Sequence, residues 1–250
     1  MTIFGKAGAL SLGILTTTLV ATFSGAAHAG EAQEHDGLYV RLGGGLAYGW
    51  DVASTDSYGG SAAGVVVSEK ASATPKGFGG ASELAVGYSV LDGLAIGGGL
   101  YSLWFSPKAD GVKVSGTVSG NVDQAIKYDM SSFHVLGPFI DYYPDSSEGL
   151  HLQAGFGYGW LSLGDAHTTV NVNVLGVQGS TTASASGGSA SGFGLMAGIG
   201  DEWWVADSWS IGVSFRLTAG FMSGRLLADD RADWSQTVWA PAVLFTATMN

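Results

Sequence analysis

Leu38-Tyr-Val-Arg-Leu-Gly-Gly-Gly-Leu-Ala-Tyr-Gly-Trp50 alternates in character on either side of its three central glycines. Leu38, Val40, Leu42, Leu46, Tyr48 and Trp50 share one parity, while Tyr39, Arg41, Gly43, Gly45, Ala47 and Gly49 share the other. Successive side chains of a strand point to opposite faces, so the stretch reads as a strand with one greasy side and one small or polar side. The texture recurs at Gly79–Leu91, Leu94–Phe105, Met130–Tyr143, Leu150–Leu163, Phe193–Val205, Trp209–Phe221 and Thr237–Met249. Each segment holds about 13 residues, well beyond the ~5–6 usual in soluble domains and enough for a tilted strand to cross a bilayer.

The connections alternate as regularly as the side chains. Short turns follow the second, fourth and sixth segments: Leu91-Asp92-Gly93, Pro144 to Gly149 and Ala206-Asp207-Ser208. Long polar stretches follow the first, third, fifth and seventh: Asp51–Phe78, Ser106–Asp129, Gly164–Gly192 and Met222–Gln236. Long connections are unusual inside compact domains, but short inner turns alternating with long outer loops are the habit of a membrane barrel. The expected fold is all-β, an eight-stranded antiparallel up-and-down transmembrane β-barrel with four long outer loops and three short periplasmic turns.

Composition narrows the alternatives. The 250 residues include 41 Gly, 8 Trp and no Cys; only 12% are charged, and 21 acidic residues face 10 basic ones for a net charge of −11. Such apolar content excludes disorder, and the missing Cys excludes disulfide scaffolds and thiolate zinc sites. Nucleic-acid binding, which needs clustered Lys and Arg, is not expected.

Residues 1–29 read as a signal peptide: Lys6 supplies the positive start, Ala7–Phe23 is uncharged and mostly apolar or small, and Ala27-His28-Ala29 offers a small-x-small cleavage site. Residues 30–36 are expected to form a flexible lead-in and 37–250 the barrel domain, placed in the bacterial outer membrane.

Charge decides which parity faces inward. Arg41, Glu83, Asp141, Glu202 and Arg216 fall on the small or polar faces of their segments. A one-residue slip would turn them to lipid, at roughly 2–4 kcal/mol for a mid-membrane Arg. The expectation is a packed, self-satisfied lumen network, with Arg41 pairing Glu83 and Glu202 pairing Arg216 across neighbouring strands, extended by His151 and Gln153. Eight strands leave a bore that side chains fill. Trp50, Trp104, Trp160 and Trp239 lie where strands meet the long loops, and Trp203 and Trp209 near the short turns. They read as two aromatic belts, since an amphipathic ring sits half in headgroups. Phe133, Val135 and Phe139 compete with Leu136, Pro138 and Ile140 for the lipid face of the fourth segment, and Trp204 breaks the pattern. Pro138 and Pro241 each lack a ladder donor, so a local bulge is expected at each.

Leu136-Gly-Pro-Phe-Ile-Asp-Tyr-Tyr-Pro144 followed by Gly149-Leu-His-Leu-Gln-Ala-Gly-Phe-Gly-Tyr158 resembles the small OmpA/OmpX-like outer-membrane β-barrel domains of Gram-negative bacteria. The resemblance covers Leu38 to Asn250. It implies insertion by the outer-membrane assembly machinery, which reads an amphipathic last strand; here Val243, Phe245, Ala247 and Met249 alternate without the customary terminal Phe. The peptidoglycan-binding domain of full-length OmpA proteins is expected to be absent.

The chemical inventory is thin. His134, His151 and His167 are each followed by residues that do not make the His-x-Ser pair of an outer-membrane lipid A deacylase. Asp165 and His167 could form a protease-like pair, but a solvated loop is the simpler reading. Gly43-Gly44-Gly45 and Gly97-Gly98-Gly99 lack the Lys-Ser/Thr of a phosphate loop. Asp229-Asp230-Arg231-Ala232-Asp233 lacks the spaced ligands of a dedicated Ca²⁺ loop. No catalytic, metal or cofactor site is expected. Val112, Val114, Val118 and Val122, and Val170, Val172, Val174 and Val177, recur at largely even spacing and could extend the barrel strands above the membrane. Ser180–Ser191 is expected to be flexible. The functional expectation is a non-enzymatic barrel with a structural or surface-interaction role. Its partners would be outer-membrane lipid, lipopolysaccharide and a surface partner met through the outer loops. The alternative is a narrow pore or lateral conduit for a small solute.

Overall fold

The computed structural model describes residues 35, 37–55, 58–62, 65–69, 71–110, 113–114, 121–174, 177–225 and 233–250. The expected signal peptide and the acidic run Asp229–Ala232 lie outside them. Sixteen strands occur among the described residues. The first is β1 (Gly37–Thr55), followed by the short β2 (Tyr58–Ala62), β3 (Val65–Glu69) and β4 (Ala71–Ala73). Next come β5 (Lys76–Leu91), β6 (Leu94–Phe105), β7 (Lys108–Asp110), β8 (Lys113–Val114) and β9 (Asn121–Tyr128). The remainder are β10 (Ser131–Tyr142), β11 (His151–Ser162), β12 (Ala166–Val174), β13 (Val177–Ala185), β14 (Ser189–Ala206), β15 (Trp209–Arg225) and β16 (Asp233–Met249).

Eight of these close a barrel in the order β5-β6-β10-β11-β14-β15-β16-β1, with β1 pairing β5 to complete the ring. Every neighbouring pair is antiparallel. Closure leaves no membrane strand with a free edge, as hydrocarbon requires. The eight segments read from the sequence are all present, and several run further outward than their alternation. β1 continues five residues past Trp50, while β14 and β16 begin at Ser189 and Asp233. A ladder is made by backbone groups, so polar stretches join it once their neighbours extend.

The lipid face is greasy: Leu46, Phe78 and Phe245 are among the most exposed large apolar residues, and Leu42, Ile96, Phe156, Ile199, Phe215 and Val243 are also exposed. On β10 the competition resolves cleanly, with Phe133, Val135 and Phe139 buried and Leu136 and Ile140 exposed. Large rings thus line the bore as well as the wall, since Tyr39, Tyr101, Phe105 and Tyr143 are buried too. Inward glycines make the room. A Cβ on Gly220 would lie 2.6 Å from the Phe133 ring, one on Gly49 2.8 Å from Phe105, and one on Gly194 2.5 Å from Val135.

Neither proline makes a bulge. The β10–β11 register is the same on both sides of the interruption at Gly137 and Pro138, and the β1–β16 register is the same on both sides of Pro241. Each proline removes ladder pairs on one side without shifting its strand. The register shifts fall instead between Ser89 and Leu91 and between Trp204 and Ala206, beside short turns. At the first of these turns Gly93 has φ 74°, a conformation that favours glycine.

The outer segments carry structure of their own. β7, β9, β12 and β13 continue the sheet outward from β5 in the order β5-β7-β9-β12-β13, leaving β13 at one edge. β4 and β8 extend it on the β1 side, and β2 pairs β3 as a separate hairpin. Ser180–Ala185 closes β13 and Ser189–Ser191 opens β14, so most of the Ser/Gly/Ala stretch expected to be flexible is paired strand. At the opposite end, His35 in the expected lead-in is fixed. Its backbone N–H donates to the Ser146 carbonyl at 3.0 Å, and its ring stacks on Tyr143 at 3.6 Å and lies 4.7 Å from Trp204. That contact places Trp204, whose neighbour Trp203 faces outward.

Candidate functional site

The bore holds two ionic clusters. Arg41 of β1 is fully buried, and its guanidinium reaches Asp141 and Glu202, each at 2.7 Å. The same group donates to the Tyr143 hydroxyl at 2.9 Å and, through Nε, to Thr248 at 3.0 Å. Glu202 accepts further hydrogen bonds from Thr248 at 2.6 Å, Ser210 at 2.8 Å and Tyr143 at 3.2 Å. Asp141 accepts from the Tyr39 hydroxyl at 2.6 Å. Strands β10, β14 and β16 therefore meet the cation that β1 supplies, and β15 joins them through Ser210 on Glu202. A buried ion pair is stabilised when its remaining lone pairs are also satisfied; these hydroxyls do that for both Glu202 oxygens, while Asp141 keeps Oδ1 without a hydrogen-bond partner among the described residues.

The second cluster joins β5, β11 and β15. Arg216 meets Glu83 at 3.3 Å, and Gln153 donates to the other Glu83 oxygen at 2.9 Å. The Arg216 guanidinium also donates to the Ser82 carbonyl at 3.1 Å and lies 5.4 Å from the centre of the Tyr101 ring. The gap it shares with Ala81, Tyr101, Leu103 and Phe133 admits no water-sized sphere. Outward of it, Phe105, Leu161, Met222 and Val238 fill the bore with apolar side chains.

These partnerships differ from the pairs expected between neighbouring strands. Glu202 lies in register with Gly212, four residues from Arg216, which is about 13 Å along a strand. Glu83 lies opposite Gly43, two residues from Arg41. Long side chains in a narrow bore reach across it, so strand adjacency does not choose the partner. The hydroxyls of Tyr39, Tyr143, Ser210 and Thr248 complete the Arg41 cluster, and inward parity is the signal that the sequence carries for them. His151 stands apart from the bonded network, with its Nδ1 at 3.1 Å from the Gly149 carbonyl.

The belt tryptophans fall on the outer wall. Trp104 and Trp203 are exposed, and Trp50, Trp160, Trp209 and Trp239 are partly covered. Their neighbours are aromatic: Tyr48 beside Trp50 at 6.2 Å, Phe221 beside Trp239 at 6.2 Å, and His134 between Trp104 and Trp160 at 5.8 and 4.9 Å. On β12, the Nδ1 of His167 lies 3.1 Å from the Ser184 hydroxyl and its Nε2 3.4 Å from Asp129. Asp165 accepts from the Gly187 backbone N–H at 3.1 Å, so the protease-like pair does not form.

No protein-family model matches the chain, and no curated protein matches it. Solved structures do. The chain is similar to OprG of Pseudomonas aeruginosa at 14% identity, with 88% of this chain and 100% of that one covered and a TM-score of 0.44. It is also similar to Ail, the attachment invasion locus protein of Yersinia pestis, at 13% identity, covering 84% and 99%, with a TM-score of 0.31. A third similarity is to the outer membrane protease OmpT of Escherichia coli at 10% identity, covering 86% and 96%, with a TM-score of 0.36.

The class follows from the barrel itself. A closed ring of eight strands, an apolar outer band between two sets of tryptophans and a paired polar bore define a transmembrane β-barrel of the bacterial outer membrane.

Proposed function

We propose that this barrel serves envelope structure and surface interaction, without catalysis, and that its outer sheet is the working part. The observation that carries the reading is a contrast along one axis. The gap beside Arg216 admits no water-sized sphere and apolar side chains fill the bore outward of it, whereas the sheet beyond the outer tryptophans ends at β13, whose second side pairs with no strand among the described residues. A free strand edge is a template for an added strand, and Val177–Ala185 has no charged residue to discourage pairing.

Two measurements test the reading. Planar bilayers containing the purified protein should show no discrete conductance. Open-channel steps that change on Arg216→Ala would replace this proposal with a pore. Cells displaying the protein should adhere to surfaces coated with host or bacterial glycoprotein. Replacing residues 166–185 by a short turn should abolish adhesion while heat-modifiable gel migration persists; unchanged adhesion would reject β13 as the contact.

A further inference from the structure

Strand register sets three lysines in one transverse row. Lys76 of β5 is the direct partner of Lys108 in β7, Lys108 of Lys127 in β9, and Lys127 of His167 in β12. In the other direction, Lys76 lies opposite Trp50, and Trp50 opposite Trp239. Directly opposed residues point to the same side of a sheet, and the two tryptophans identify that side as the lipid-facing one. The row therefore leaves the outer tryptophan belt and continues along the outer wall as cations.

All three lysines are exposed. None forms an ion pair among the described residues, and the nearby Asp129 engages His167 instead. Like charges directly opposite one another destabilise a sheet. This chain carries twice as many acids as bases, 21 against 10, yet it places three bases in immediate succession at one height. Adjacent strands lie about 4.8 Å apart, so the three ammonium groups can close on one anion or two neighbouring ones.

We infer that Lys76, Lys108 and Lys127 form a clamp for the phosphate groups of outer-leaflet lipid, the lipopolysaccharide headgroup. Height and direction choose this occupant. The row begins at the ring of tryptophans that marks the hydrocarbon boundary, where headgroup phosphates lie, and it faces sideways into the leaflet. A soluble anionic glycan would approach from the loop tips. The lipid also relieves the repulsion among the lysines, because each phosphate accepts hydrogen bonds from more than one ammonium. This inference goes beyond the surface-interaction reading and needs no second surface.

The test uses the full mature barrel in zwitterionic detergent, with short-core lipopolysaccharide as probe. Native mass spectrometry reads the lipid retained, and the heat-modifiable gel shift reads the unfolding midpoint. K76Q/K108Q/K127Q should bind the probe about tenfold or more weakly. Its midpoint without lipid should equal or exceed that of the wild type, because repulsion has been removed. The triple Lys→Arg variant should retain binding. Enzymatically dephosphorylated lipopolysaccharide should bind the wild type as weakly as the intact lipid binds the Gln variant. Equal binding of the intact and dephosphorylated lipids would overturn the clamp, as would undiminished binding by the Gln variant. Preferential binding of soluble heparin would overturn the lipid as occupant.

Discussion

The arginines of the bore and the lysines of the outer row are cations in opposite circumstances. Arg41 and Arg216 are buried, and each is answered by carboxylates, hydroxyls or carbonyls from several strands. Lys76, Lys108 and Lys127 are exposed, stand directly opposite one another and have no carboxylate partner among the described residues. The side chains match the two places. Planar guanidinium makes several directed bonds at once and suits a dry bore, while a hydrated ammonium on a flexible stem suits headgroups. Charge inside this barrel ties strands together, and charge on its outer rim is left available to the membrane.

The largest expected effect lies in the bore. Arg41→Met leaves Asp141 and Glu202 buried without their cation, and removing one partner of a buried pair costs about 3–5 kcal/mol. Urea unfolding from phospholipid vesicles should show that loss, and Asp141→Asn with Glu202→Gln in the same chain should recover much of it. Arg216→Met should cost less, about 2–3 kcal/mol, because Gln153 still donates to Glu83. The pairing itself can be broken experimentally. Arg216→Met and Glu83→Gln should couple by about 1 kcal/mol or more in a double-mutant cycle, and Arg41→Met and Glu83→Gln should add within about 0.5 kcal/mol. The reverse result would restore the neighbouring-strand pairs that the sequence suggests and undo the account of side chains crossing the bore.

That contrast also marks what could be read from the residues alone. Alternation gave the wall, because a period of two is a local property and burying Arg41 or Glu202 forbids a slip of one residue. The partners of Arg41 were not legible, because Asp141 and Glu202 are 100 and 161 positions away and meet it only when the cylinder closes. Bulges expected at Pro138 and Pro241 did not form, since a missing donor opens a ladder without changing strand length. The lysine row was equally hidden. Lys76, Lys108 and Lys127 occupy unremarkable places in the sequence, and only the pairing of β5, β7 and β9 lines them up.

A middle-sized effect separates inward from outward glycine. A Cβ at Gly220 would lie 2.6 Å from the Phe133 ring, whereas one at Gly44 would meet nothing within 4 Å. Gly220→Ala should destabilise the barrel by about 1–3 kcal/mol through overpacking, and Gly44→Ala should stay within about 0.5 kcal/mol of wild type. Equal effects in the same vesicle assay would mean that the bore is looser than its ring contacts imply.

The smallest expected effect concerns a third kind of cation, one that the fold excludes. His35 precedes β1 and is buried against Tyr143 and Trp204. Burial lowers its pKa from 6.5 to about 4, outweighing the opposing pull of Glu202. The unfolded chain therefore takes up a proton at His35 near pH 6.5 that the folded chain refuses until about pH 4. This contribution is fully present above pH 6.5 and fades as the pH falls toward 4. His151, Glu202 and Arg41 contribute electrostatically to the same environment and remain in a His35→Gln variant. The difference between the two unfolding curves thus isolates the one imidazole. Wild type should lose stability relative to the variant across that window, and parallel curves would show that His35 is reached by water and is not sealed in the inner mouth.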